Sequence, residues 1–125
     1  MARVLLIDDD DMLRAVVRRA LERAGHTVVE AADGAAGLRL HREAGADVII
    51  ADIFMPEQDG LELIQALRAE APRARIIAMS GGGRSGQVDL LKDATVFGAA
   101  RTLRKPFELT ELVATVGALA EPPPS

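Results

Sequence analysis

The sequence predicts an α/β domain in which a parallel β-sheet is covered by helices on both faces. Short apolar runs rich in β-branched residues, such as Val48 to Ala51, are too short for helices and are typical of buried strands. Five such runs alternate with five helical patterns along the 125 residues, which suit one domain. Short alternating units of this kind join parallel strands through right-handed crossovers.

Composition narrows the classes of protein that this chain can belong to. Hydrophobic residues make up 49% and aromatic residues 2%, so the core must be built from aliphatic side chains. The net charge of −4 argues against nucleic acid as a direct partner, and the absence of cysteine excludes disulfides and thiolate metal sites. The chain has neither a signal-peptide pattern nor an apolar run of membrane-spanning length, so we expect a soluble cytoplasmic domain with no membrane partner.

The first half of the chain is predicted to contain three strands and two helices. Asp10 or Asp11 would cap the first helix and Gly25 would end it, while Gly45 would end the second helix. The third strand ends at a carboxylate, Asp52, and is followed by a turn. The predicted strands are residues 2–7, 26–31 and 48–51, and the second helix spans about 34–43.

The second half is predicted to contain three helices and two strands. Pro72 ends the third helix, a glycine-rich loop follows Ser80, and Lys105-Pro106 follows a short, polar fifth strand. The predicted helices span about 60–70, 85–95 and 108–119, and the strands span 74–79 and 101–104. We therefore expect one domain over residues 1–119, with residues 120–125 as a proline-rich tail or the start of a linker.

Polar side chains follow four of the predicted strands. Asp8 and Asp9 follow the first strand, Asp52 the third, Ser80 the fourth and Lys105 the fifth. The carboxyl ends of parallel strands lie at one edge of a sheet, where ligands of open α/β sheets gather. These side chains are therefore candidates for a single site, although each alone is also explained as a cap, a turn residue or a surface residue.

Electrostatics indicates what such a site would bind. Two carboxylates about 4 Å apart repel by roughly 4 kcal/mol at an effective dielectric constant near 20, so a cation is expected among them. Carboxylate oxygens suit a hard cation, and a small site that retains water suits Mg²⁺ better than Ca²⁺. With Lys105 as a positive charge and Ser80 as a hydroxyl donor, Asp52 could act as the in-line nucleophile that accepts a phosphoryl group.

The same residues resemble a known family, the receiver domain of bacterial two-component response regulators. Any one of the shared motifs is common, whereas all four in order at predicted strand ends are specific. The resemblance covers about residues 2–119. The motifs are Leu5-Leu6-Ile7-Asp8-Asp9, Asp52 to Gly60 with Met55-Pro56, Ile76-Ile77-Ala78-Met79-Ser80 and Lys105-Pro106-Phe107.

The resemblance implies a flavodoxin-like, doubly wound (βα)5 three-layer sandwich with the sheet order 2-1-3-4-5. It implies that Asp52 accepts a phosphoryl group from a histidine kinase or a phosphotransfer protein. It further implies that Asp9, Asp52 and the backbone carbonyl of Phe54 ligate Mg²⁺, and that Asp8 holds the ion through water. Lys105 matches the family's lysine, whose bond to the following proline is often cis in relatives.

The resemblance also implies a switch. Ser80 matches the hydroxyl that moves to bond the phosphoryl oxygen, and the face formed by the fourth helix, fifth strand and fifth helix would then bind an output protein or a second copy. The family's second switch residue is usually aromatic, but Thr102 stands there, so coupling through an aromatic ring is excluded at this position. In the family, the positions matched by Phe54 and Gly82 influence acyl-phosphate lifetime, and we hypothesise that Phe54 shields the phosphoryl group from water.

Two other functions remain open. The first is a Mg²⁺-dependent hydrolase that uses Asp52 as its nucleophile, although the position two residues later, where such enzymes place an acid, is Phe54. The second is a docking module that is not phosphorylated. This alternative stays open because Thr102 replaces the aromatic switch residue that is usual in the family. We expect a signalling receiver whose only catalysis is phosphotransfer to itself and its own dephosphorylation.

Overall fold

A parallel sheet runs through the centre of the fold. The computed structural model describes residues 2–55, 58–80, 94–95 and 97–120. Its strands are β1 (Arg3–Ile7), β2 (Thr27–Ala31), β3 (Val48–Asp52), β4 (Arg75–Ser80) and β5 (Arg101–Arg104). The five strands pair in the order β2-β1-β3-β4-β5, and every pairing is parallel. The predicted fold class and sheet order are therefore confirmed.

Helices cover both faces of this sheet. They are α1 (Asp11–Arg23), α2 (Gly34–Ala44), α3 (Gly60–Glu70) and a C-terminal helix (Leu109–Ala120). Of the helix predicted over residues 85–95, only Ala94 and Thr95 are among the described residues, and both are helical. The glycine-rich loop at 81–83 and residues 121–125 of the predicted tail lie outside the described residues, while Ala120 is the last residue of the C-terminal helix.

The strands divide their side chains between two apolar cores because successive side chains point to opposite faces. In β3, Ile49 and Ala51 pack with α2 and α3, whereas Val48 and Ile50 pack with α1 and the C-terminal helix. All five residues of β3 are buried, as expected for a central strand of a parallel sheet. This arrangement gives the three layers of helix, sheet and helix.

Local sequence fixes where the helices begin and end. The Asp10 side chain accepts a hydrogen bond from the backbone N–H of Leu13 at 3.0 Å and caps α1. Asp33 caps α2 in the same way, through the N–H of Ala36 at 2.8 Å. Gly45 follows α2 with a φ of 74°, a backbone conformation that favours glycine.

The segment between β3 and α3 differs from its predicted form. The turn predicted after Asp52 contains a short antiparallel pairing, in which Phe54–Met55 lies beside Gln58–Asp59. Gly60 then begins α3. Across the described ranges, no helix combines the length and the apolar character that a membrane span requires.

Candidate functional site

The carboxyl ends of β1, β3, β4 and β5 bring the predicted site residues to one edge of the sheet. Ile7 lies opposite Ala51, and Asp52 lies opposite Met79, so the residues after β1 and at the end of β3 and β4 are adjacent. At the last pair of strands, Ser80 lies opposite Arg104, the residue before Lys105. The register of the parallel sheet therefore assembles residues that are far apart in sequence.

Three carboxylates meet at this edge. Asp8, Asp9 and Asp52 each offer an oxygen, and these oxygens all lie within 4.8 Å of one another. Asp8 and Asp52 are only 0% and 3% exposed, whereas Asp9 faces solvent. Like charges this close repel, most strongly where burial removes solvent screening.

The donor set fits a hard divalent cation. All the side-chain donors are carboxylate oxygens, which Mg²⁺ prefers, and the exposed Asp9 leaves one side of the cluster open to water. The site could therefore hold Mg²⁺ through Asp8, Asp9 and Asp52. The backbone of Phe54, whose carbonyl was predicted as a further ligand, follows Asp52 by two residues in the short antiparallel pairing.

Lys105 provides the positive charge within the cluster. Its Nζ donates to Oδ2 of Asp8 at 2.8 Å and to Oδ2 of Asp52 at 3.0 Å. Burial by itself lowers the pKa of Lys105, but the hydrogen bonds and negative charges of the two carboxylates outweigh burial and raise it above its ordinary value. The ammonium group is therefore charged at neutral pH and offsets part of the carboxylate repulsion.

Backbone contacts hold Asp8 in place. Its Oδ1 accepts the N–H of Asp10 at 2.9 Å, and its own N–H donates to the carbonyl of Ala31 at 3.1 Å. Its carbonyl accepts a hydrogen bond from Nη1 of Arg14 at 2.6 Å. Sequence reasoning identified Asp10 only as a candidate helix cap and did not single out Arg14, because the contacts of both residues with Asp8 depend on the loop conformation.

The two predicted switch positions lie on neighbouring strands. Ser80 is 5% exposed at the end of β4, and its carbonyl accepts the N–H of Lys105 at 2.9 Å. Thr102 is half-buried on β5, opposite Ala78, and so lies two residues before the carboxyl end of the strand pair. The peptide bond between Lys105 and Pro106 is cis, as the resemblance implied.

Comparisons with known proteins agree with this architecture. The family model of the response regulator receiver domain matches residues 4–117. Chemotaxis protein CheY4 of Vibrio cholerae superposes with a TM-score of 0.83 at 31% identity, over 95% of this chain and 98% of that chain. A response regulator receiver domain protein from Clostridium thermocellum superposes with a TM-score of 0.85 at 28% identity, over 96% of this chain and 94% of that one.

Curated relatives are longer proteins. The sensor kinase CckA of Brucella abortus is 38% identical over 122 residues, which are 96% of this chain and 13% of CckA. The transcriptional regulatory protein PrrA of Mycobacterium tuberculosis is 41% identical over 117 residues, which are 94% of this chain and 49% of PrrA. The chain thus spans at most about half the length of these two relatives. It belongs to the response regulator receiver domain family of two-component systems.

Proposed function

We propose that this receiver domain is a phosphorylation-controlled switch that accepts a phosphoryl group on Asp52 from a histidine kinase or a phosphotransfer protein. The observation that carries this proposal is the ammonium group of Lys105, which bridges Asp8 and Asp52 beside a carboxylate cluster suited to Mg²⁺. A carboxylate held next to a cation site and a fixed ammonium group is equipped to receive a highly charged phosphoryl group.

In the transfer step, a carboxylate oxygen of Asp52 attacks the phosphorus of a phosphohistidine. The new O–P bond forms as the P–N bond breaks, and the released imidazole nitrogen takes a proton from solvent, which leaves an acyl phosphate on Asp52. Bound Mg²⁺, held by Asp8, Asp9, Asp52 and the carbonyl of Phe54, would neutralise charge on the phosphoryl oxygens. Lys105 would exchange its bond to Asp52 for one to a phosphoryl oxygen.

Ser80 is proposed to carry the signal onward. Its hydroxyl would donate to a phosphoryl oxygen, which would draw the end of β4 toward Asp52 and move the chain that follows. The face that includes β5, the C-terminal helix and the fourth predicted helix would then bind an output protein or a second copy. Because Thr102 stands where relatives usually have an aromatic residue, this change would depend on backbone movement. Water would end the signal by hydrolysing the acyl phosphate.

The domain bounds, the cellular location and the partner modules of this switch are also part of the proposal. We assign residues 1–119 to the receiver and residues 120–125 to a tail or linker, and we place the domain in the cytoplasm, where two-component phosphotransfer occurs. Longer relatives, such as CckA and PrrA, suggest that this domain works together with kinase or output modules. No direct role in nucleic-acid binding is proposed for the receiver itself.

The decisive experiment is the intact mass of the protein after incubation with Mg²⁺ and acetyl phosphate. We expect one added phosphoryl group in the wild type and none in Asp52→Asn or without Mg²⁺. Glu43→Gln is the control, because Glu43 is an exposed acid of α2 that lies outside the carboxylate cluster. It should be phosphorylated like the wild type.

The other outcomes distinguish the alternatives. Rapid, Asp52-dependent consumption of the donor without an adduct would favour a hydrolase. A folded protein that neither forms an adduct nor consumes the donor would overturn the switch and favour a docking module. Phosphorylation that persists in Asp52→Asn would place the acceptor elsewhere.

A further inference from the structure

The side chain of Arg14 connects the acidic loop after β1 to strand β2. Its Nη1 donates to the backbone carbonyl of Asp8 at 2.6 Å, and its Nε donates to Oε1 of Glu30 at 3.1 Å. A third contact joins it to the carboxylate of Asp11 in the first turn of α1. Only 13% of the side chain is exposed, so this guanidinium group is fixed in one arrangement across two elements and a loop.

The carbonyl that Arg14 holds belongs to the peptide unit between Asp8 and Asp9. A peptide unit is planar, so fixing its oxygen also fixes the N–H and the Cα of Asp9. Asp9 is the exposed member of the carboxylate cluster and lacks the burial that confines Asp8 and Asp52. The direction in which the Asp9 side chain leaves the backbone therefore depends on the peptide unit that Arg14 holds.

Arg18 provides a natural comparison within the same helix. It lies one turn further along α1, and its Nη1 donates to the other oxygen of Glu30 at 2.8 Å. Its remaining ion pair is with Glu22, on the surface of α1. The contacts of Arg18 thus share Glu30 with those of Arg14 but do not include the Asp8 carbonyl.

We propose that Arg14 is a positioning residue for the proposed metal and phosphoryl site, and that it orients Asp9 through the Asp8–Asp9 peptide unit. The inference rests on the proposed function, because it assumes that Asp9 serves as a ligand. Residues that orient ligands without touching the metal typically account for about 10- to 100-fold in affinity. Glu30 holds the guanidinium group from the far side and so connects the end of β2 to the site.

The test compares Arg14→Met with Arg18→Met. Each variant removes one guanidinium group from Glu30 and retains an unbranched side chain, and urea unfolding of both variants measures how far their stabilities differ. We expect Arg14→Met to raise the Mg²⁺ dissociation constant, measured by calorimetry, about tenfold or more. The Mg²⁺ dissociation constant of Arg18→Met should stay within about twofold of the wild-type value, because Arg18 does not contact the acidic loop after β1.

A second readout needs no metal. In metal-free protein, Arg14→Met should shift the amide NMR resonances of Asp9 and Asp10, whereas Arg18→Met should leave them in place. The rate of phosphorylation by acetyl phosphate should then require more Mg²⁺ for half-saturation in Arg14→Met, with a rate at saturating Mg²⁺ close to that of the wild type. That pattern separates a loss of ligand orientation from a loss of chemistry.

Equal Mg²⁺ affinities in the two methionine variants would overturn the positioning role of Arg14 while leaving the proposed switch intact. A wild-type protein that binds no Mg²⁺ would overturn both proposals. If Arg14→Met does not fold, Arg14→Lys and Arg18→Lys are compared in the same way. A lysine keeps the charge but lacks the planar fork that reaches the Asp8 carbonyl and Glu30 together, so only the change at residue 14 should weaken Mg²⁺ binding.

Discussion

Lys105 and Asp52 are separated by 53 positions in sequence, yet the Nζ of Lys105 lies 3.0 Å from Oδ2 of Asp52. The same ammonium group lies 2.8 Å from Oδ2 of Asp8, so one cation serves two buried carboxylates. This arrangement offsets the repulsion that three neighbouring carboxylates would otherwise impose on the folded state. In the proposed function, it also keeps a positive charge where negative charge would develop during phosphoryl transfer.

Lys105→Met should slow phosphorylation by acetyl phosphate by about 100-fold at saturating Mg²⁺, because a fixed positive charge is lost next to the transferred group. Time-resolved intact mass measures this rate. Arg104→Met is the control, since it removes the charge of the preceding, exposed residue at the end of β5. Comparable rates in wild type and Lys105→Met would contradict a role for the ammonium group.

Asp9→Asn should stabilise the metal-free protein, because it removes one of three carboxylates that lie within 4.8 Å of one another. Mg²⁺ at about ten times its dissociation constant should stabilise the wild type by about 1.4 kcal/mol, and this gain should be absent in Asp9→Asn. Urea unfolding with and without Mg²⁺ measures both effects. Glu43→Gln, which changes an exposed acid of α2, should respond to Mg²⁺ like the wild type. An equal response in Asp9→Asn would exclude Asp9 as a ligand.

Glu30 should make the stability of the domain depend on pH. The largest influence on the pKa of Glu30 is the hydrogen bond from Arg18, which lowers it. Burial raises this pKa and the hydrogen bond from Arg14 lowers it further, so that the pKa lies below its ordinary value of 4.5. At a pH between the folded and unfolded pKa values of Glu30, the unfolded chain binds more protons than the folded chain. The stabilisation from the Glu30 ion pairs is therefore present above pH 4.5 and is lost as the pH falls through the folded pKa.

Glu30→Gln should therefore unfold at a lower urea concentration than the wild type at pH 7. The free energy of unfolding should fall by roughly 1 kcal/mol, as expected for partly exposed ion pairs. The difference should shrink as the pH is lowered toward 3, as measured by urea unfolding at each pH. Glu43→Gln, which changes an exposed carboxylate of α2, is the control and should have a smaller effect at pH 7. A Glu30→Gln difference that is constant across this pH range would contradict the prediction.

Gly60→Ala should destabilise the domain by about 1–3 kcal/mol, because the added methyl group has no room. A Cβ at residue 60 would lie 2.1 Å from the carbonyl oxygen of Ile53 and 2.4 Å from its Cα. Ile53 directly follows Asp52, so phosphorylation should also slow. The measurements are urea unfolding and intact mass.

Gly117→Ala is the matched control for this substitution. Gly117 lies within the C-terminal helix. Among the described residues, a Cβ there would meet no atom within 4 Å other than its chain neighbours and the backbone of its own helix. We expect Gly117→Ala to stabilise the domain by about 0.5–1 kcal/mol, because alanine favours the helix and restricts the unfolded chain. If both substitutions had the same effect, the close approach of Gly60 to Ile53 would not matter for stability.

The sequence by itself determined the alternation of strands and helices and the polar side chains at the strand ends. Strand periodicity and helix caps are local properties. The strand at Val48 to Ala51 and a cap at Asp10 or Asp11 were therefore predicted from neighbouring residues alone, and the structure places the cap at Asp10. Because parallel strands share one edge, the approach of Asp8, Asp52 and Lys105 followed from topology. The sheet order 2-1-3-4-5 came from the family resemblance.

Only the tertiary structure decided which distant groups make contact. His26 is half-buried, and its Nδ1 accepts the N–H of Ala2 at 3.0 Å, a contact that no local pattern predicts. The bond between Arg14 and the Asp8 carbonyl and the close approach of Gly60 to Ile53 were likewise absent from any local pattern. Such contacts depend on how packed elements and loops are placed relative to one another, which periodicity and capping rules do not specify.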